Sequence, residues 1–93
     1  MEMLLQIDGS AQPSTEEITQ AIERAGGRVL HAWPPYAFVV DAQEAIAAEL
    51  SNLPGVVAAY FAEVPASSLR AAPEPFQLAA AVWNNRQIGR AHV

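Results

Sequence analysis

Two histidines, ten carboxylates and no cysteine bound the side-chain chemistry open to this chain. His31 carries a ring able to bind a metal or move a proton near neutral pH. One histidine with no second ligand nearby makes no metal site, so His31 is read as an ordinary strand residue. Glu16 and Glu17 form an adjacent carboxylate pair of the kind acid–base catalysis uses. Their place in the first turn of an expected helix gives a simpler task, since acids there complement the helix dipole. Gly26-Gly27 follows a helix instead of opening one, and so reads as a helix cap and not as a phosphate loop. The lack of cysteine excludes thiolate nucleophiles, disulfides and Cys-x-x-Cys metal transfer. No cofactor and no metal is expected. Trp33 and Tyr36 flank Pro34-Pro35, where they either grip a peptide or pack the end of a hairpin.

The elements that must position these residues follow from periodicity. Met3-Leu4-Leu5-Gln6-Ile7-Asp8 is a short apolar run closed by Gly9-Ser10, the form of a buried strand. Ser14-Thr15-Glu16-Glu17 has capping-box spacing, and Ile18, Ala21, Ile22 and Ala25 then draw one apolar stripe along a helix. Residues 29–33 and 36–40 read as strands joined through Pro34-Pro35. Asp41-Ala42-Gln43-Glu44 repeats the cap logic with Asp41 as the cap, Ile46, Leu50 and Leu53 line a second helix, and Pro54-Gly55 ends it. Residues 56–63 form a fourth strand. The order β-α-β-β-α-β predicts an α+β, ferredoxin-like sandwich: a four-stranded antiparallel sheet with two helices on one face.

Composition agrees with one small domain. The chain has 93 residues, 52% of them hydrophobic, enough to fold instead of staying disordered. Nineteen alanines make that apolar fraction small in side-chain volume. The net charge of −5 argues against nucleic acid as a partner. An RNA-binding sheet of this topology would carry basic and aromatic residues, whereas residues 1–64 hold nine acids against two arginines. No apolar run reaches the roughly 18 residues of a membrane span, so no membrane partner is expected. No export signal is visible at the start, and localisation stays undetermined.

Residues 65–93 differ, with Glu74 against three arginines. Pro65-Ala66-Ser67-Ser68 and Ala71-Ala72-Pro73-Glu74-Pro75 read as an irregular linker, because proline lacks a donor and biases the preceding residue away from helix. The chain thus divides near residue 64.

The strands pose a physical problem. A sheet covered on one side should alternate apolar and polar residues, and residues 36–40 and 56–62 do not. If Phe38, Val40, Val57, Ala59 and Phe61 face the helices, then Ala37, Val39, Ala58 and Tyr60 lie on an open, nearly uncharged face. Such a patch marks an interface. His31 and Trp33 are left open between the two faces. Something outside residues 1–64 is expected to cover the open side, because a domain near 60 residues buries only about 60% of its unfolded surface.

Ala25-Gly26-Gly27-Arg28-Val29-Leu30, Ala37-Phe38-Val39-Val40 and Leu50-Ser51-Asn52-Leu53-Pro54-Gly55-Val56 together resemble the propeptide, or inhibitor-type prodomain, of subtilisin-like serine peptidases. The similarity covers about residues 3–64. Residues 82–93, Val82-Trp83-Asn84-Asn85-Arg86-Gln87-Ile88-Gly89-Arg90-Ala91-His92-Val93, resemble the beginning of the mature catalytic domain. The resemblance implies three segments: a ferredoxin-like prodomain at 1–64, a linker and processing segment at 65–81, and the start of a catalytic domain at 82–93. It implies a peptidase inhibitor and intramolecular chaperone whose partner is a subtilisin-like catalytic domain, in cis or in trans. Ala37, Val39, Ala58, Tyr60 and Glu63 would form the partner-binding face. Pro65, Ala66, Ser67, Ser68, Leu78, Ala79, Ala80 and Ala81 would supply the cleft-binding or processing segment, docked by strand addition. Members of the family are usually exported. The chain stops before the family's catalytic motifs, and Asp8, Asp41, His31 and His92 lie outside such contexts, so no catalytic residue and no enzyme is expected in this chain.

One alternative stays open. Phe76, Ala79, Ala80, Trp83 and Gln87 have helical spacing after Pro75. A helix over about 75–88 could fold back on the open face and make a free-standing interaction module, the tail helix covering the sheet or mediating dimerisation.

Overall fold

The computed structural model describes residues 1–9 and 14–91, the last four by backbone alone. Ser10, His92 and Val93 lie outside the described residues. The elements are β1 (Glu2–Ile7), α1 (Thr15–Ala25), β2 (Arg28–Trp33), β3 (Ala37–Asp41), α2 (Glu44–Ser51), β4 (Val56–Tyr60), α3 (Ala66–Ala71) and α4 (Glu74–Ala91). The four strands form one antiparallel sheet in the order β2-β3-β1-β4. Each of the two β-α-β units is split by a strand of the other, which is the ferredoxin-like arrangement expected for this α+β chain.

Local chemistry sets the helix ends. The Ser14 hydroxyl accepts from the Glu17 amide at 3.2 Å, and the Glu17 carboxylate accepts from the Ser14 amide at 3.3 Å. Both halves of the capping box are therefore made. Gly26 ends α1 at φ 103°, a left-handed conformation that glycine adopts without a Cβ clash. The start of α2 departs from expectation. Asp41 is the last residue of β3, where it pairs with the Met1 ammonium at 3.3 Å, and the N-cap of α2 is Gln43 with no side-chain cap bond. Strand pairing holds the Asp41 backbone in β3, and the terminal ammonium engages its carboxylate, before the helix begins.

Helices α1 and α2 cover one face of the sheet. Their core joins Met3, Leu5 and Ile7 of β1, Phe38 and Val40 of β3, and Ile18, Ile22, Ala47 and Leu50 of the helices. Ala59 packs against it, but Val57 and Phe61 do not. Both are exposed, Val57 because the β1–β4 register shifts between Gln6 and Ile7 so that Val56, not Val57, opposes Ile7. A β-bulge of this kind re-aims the strand. Phe61 lies past the end of β4.

The second face is covered as well. Residues 65–81, expected as an irregular linker, form α3 and the first part of α4, and the expected boundary at residue 82 falls inside α4. The prolines open helices instead of breaking them: Pro65 sits at the N-cap of α3 and Pro75 in the first turn of α4. There the missing N–H would have had no helical acceptor anyway.

Candidate interaction face

The face opposite α1 and α2 starts from the inward side chains of the two central strands, Leu4 of β1 and Ala37 and Val39 of β3, all fully buried. Leu30, Trp33, Tyr36 and Tyr60 rim this apolar floor. The β2–β3 register aligns His31 with Val39 and Trp33 with Ala37, which resolves the side left open for β2. His31 is exposed and stacks obliquely on Trp33 with ring centroids 6.1 Å apart. Tyr36 packs at the hairpin end and lies against Gly9, where a Cβ would overlap its ring.

Helix α4 lies on the floor. Phe76, Ala79, Ala80 and Trp83 recur at i, i+3, i+4 and i+7 and lose all solvent contact. The two alanines let the helix backbone come close to a floor that itself contains Ala37. Phe76 meets the Tyr60 ring at 6.2 Å between centroids, within the range of favourable tilted aromatic pairs. Three polar ties set the helix's position. The Trp83 indole N–H donates to the Ala62 carbonyl at 2.8 Å. The Asn84 side-chain oxygen accepts from the Val64 amide at 2.8 Å, and its NH2 donates to the Val64 carbonyl at 3.4 Å. The Arg86 guanidinium pairs with the Glu2 carboxylate at 2.8 Å.

Of the expected partner-binding residues, Ala37 and Val39 lie buried beneath α4. Tyr60 packs at its edge and donates its hydroxyl to Gln6 at 3.3 Å. Ala58 is half-buried opposite Gln6, and Glu63 is exposed beyond the strand. The cleft-binding segment does not stay together as one extended stretch. Pro65, Ala66 and Ser67 are exposed and Ser68 half-buried at the start of α3, Ala79 and Ala80 are buried, and Leu78 and Ala81 point outward from α4. A segment in this conformation offers its backbone groups to its own helices and has none to add to a sheet edge.

Asn84 and Arg86 were not assigned roles from sequence. The i, i+3, i+4, i+7 stripe fixed which side of α4 would be buried, but an asparagine reading backbone groups twenty positions earlier leaves no periodic trace. Two shallow hollows lie elsewhere, one of about 350 Å³ between α1 and the α2–β4 turn and one of about 270 Å³ beside Met1, Arg28 and Asp41. Neither contains a histidine. Among the described residues no group of three histidines or carboxylates is placed to hold a metal, and no helix is long and apolar enough to cross a membrane. No family model, curated protein or solved structure matches the chain.

Proposed function

We propose that this chain is a non-enzymatic protein-interaction module whose second sheet face docks helices, α4 being the occupant in the free chain. One observation carries the reading: the face is an apolar floor with aromatic residues around it and polar ties at its margin, the anatomy of a recognition surface, and what fills it is a helix. Native-state hydrogen exchange on the intact chain tests it. The amides of α4 should exchange through an opening that leaves β1 and β3 protected, as expected for a displaceable element. Exchange of α4 and the central strands at one common free energy would make α4 a plain part of the core and overturn the reading.

A narrower reading is favoured by the three prodomain-like motifs within residues 3–64. In it the occupant that replaces α4 is the surface of a subtilisin-like peptidase catalytic domain, in cis or in trans, and residues 65–81 unwind to lie in its cleft as a product-like inhibitor. A partner that binds only the folded form stabilises it by mass action, and one that binds the folding transition state speeds folding, so inhibition and chaperoning are compatible. The expected result is slow-binding inhibition of a subtilisin-type peptidase by the chain, lost on Tyr60→Glu. Absence of inhibition by both the intact chain and its Trp83→Ala variant, with a defined oligomer by light scattering, would leave the general module alone standing.

A further inference from the structure

The sheet ends in two unlike edges. β2 carries Arg28 and the exposed His31 and runs into Pro34-Pro35, features that keep an edge from pairing further. β4 carries none of these: residues 56–62 hold no charge and no proline, and among the described residues only β1 lies beside this strand. We propose that β4 pairs antiparallel with β4 of a second copy of this chain, the two-fold axis passing at Ala59. The inference is independent of the helix-docking reading, because α4 stays seated on its face throughout.

The backbone decides which groups are free. Ile7 turns its amide toward β3 and donates to the Tyr36 carbonyl at 2.8 Å. Backbone groups of an antiparallel strand point to alternate sides, so those of Leu4 and Gln6 point to β4, opposite Tyr60 and Ala58. Ala59 lies between these two and turns its own N–H and C=O away from β1, to the open edge. An unpaired row of this kind is a template for another strand.

The side chains decide the occupant. With two copies paired about Ala59, each Ala59 exchanges two hydrogen bonds with its counterpart, and Val57 of one copy stands opposite Phe61 of the other. Val57 and Phe61 are the exposed large apolar residues of this segment, at 58% and 46% exposure. They sit at equal steps on either side of Ala59, which makes the edge complementary to itself. A β-branched residue facing an aromatic one across strands is a favourable pair. Glu63 falls opposite Gly55, so no like charges meet at the ends of the pairing. The bulge at Val57 keeps the regular edge short, and the dimer is accordingly small in area and weak.

Sedimentation equilibrium of the full chain tests the proposal. The average mass should rise from one chain toward two as concentration climbs to about a millimolar. Added salt should strengthen association, since it screens the net charge of −5 on each copy. Val57→Lys and Phe61→Glu should each weaken it about tenfold, because one substitution spoils both symmetry-related pairs. Mixed together, the two variants should associate again: the introduced charges then face each other on one side of the axis, and the native pair survives on the other. A chain that stays monomeric at every concentration overturns the proposal. So does a dimer that both variants leave intact, which would lie on another surface, and so does a mixture that associates no better than either variant alone. Should either variant lose its circular-dichroism signal, Val57→Cys mixed with Phe61→Cys takes its place, the native chain having no cysteine. Oxidation should then cross-link the two variants to each other in preference to themselves, and the lack of that preference overturns the pairing.

Discussion

On the α1/α2 side the sheet is sealed almost wholly by aliphatic side chains, and Phe38 is the one aromatic among its fully buried residues. On the α4 side two buried aromatics, Phe76 and Trp83, sit among alanines, with Trp33, Tyr36 and Tyr60 around them. The first side is joined to the strands through packing and the helix caps. The second adds an indole-to-carbonyl bond, an asparagine clamp and an ion pair. Aliphatic burial is non-directional and rewards any close-packed arrangement. Directional bonds to backbone groups reward one arrangement of one particular helix. The contrast separates a face held by packing alone from a face that also holds its helix by directional bonds.

The largest effect should come from the first side. Phe38→Ala is expected to cost about 3–5 kcal/mol, through lost transfer energy and the cavity left behind. That is comparable to the total stability of a small domain, about 5–15 kcal/mol. Urea denaturation followed by circular dichroism should show the whole transition move to lower denaturant or vanish.

Trp83→Ala removes a comparable volume but should act differently. Its cost, about 3 kcal/mol, is capped by the docking energy of α4, because the chain can relieve the cavity by releasing that helix. Helical signal should fall at a lower urea concentration than strand protection does. If both are lost together, the distinction between the two faces disappears.

The difference between the faces also explains what could be read in the sequence. The caps at Ser14 and Gly26, the stripe of α1 and the alternation of Phe38 and Val40 are local signals, each fixed within a few residues, and they gave the topology. The second face showed itself only as a deficit, because Ala37, Val39 and Tyr60 had nowhere to hide. The stripe of α4 was visible but competed with Pro65, Pro73 and Pro75, whose meaning at a helix start depends on where the helix begins. The bulge that exposes Val57 depends on the pairing with β1, and Asn84 on a backbone amide twenty positions away. Contacts of that range carry no periodicity, so spacing arguments could not reach them.

Asn84→Ala sharpens the comparison at a smaller scale. It leaves the amide of Val64, a buried residue, without its acceptor, and should cost about 1–2 kcal/mol. Amides of α4 should exchange roughly tenfold faster or more while those of β1 and β3 stay as they are. Ser14→Ala is the matched control on the other side. It removes one half of the capping box and should cost about 1 kcal/mol. Because α1 belongs to the obligatory core, that loss should appear in the global transition measured by thermal denaturation.

Arg86→Gln should have the smallest effect and test the margin of the α4 face most directly. The Arg86 and Glu2 side chains are 33% and 19% exposed, so solvent screens their attraction and the pair contributes about 1 kcal/mol or less. What separates it from the other ties is salt. Raising ionic strength from 0.01 to 1 M shortens the screening length from about 30 to about 3 Å. Opening of α4 in the parent chain should therefore become easier with salt, while the Arg86→Gln chain, already lacking the attraction, should show a flatter response. The Asn84→Ala chain should keep the parent's salt slope, since its lost bonds join neutral groups. Equal slopes in all three chains would mean that the ion pair does not hold the helix, and that the margin of this face is set by the asparagine and the indole alone.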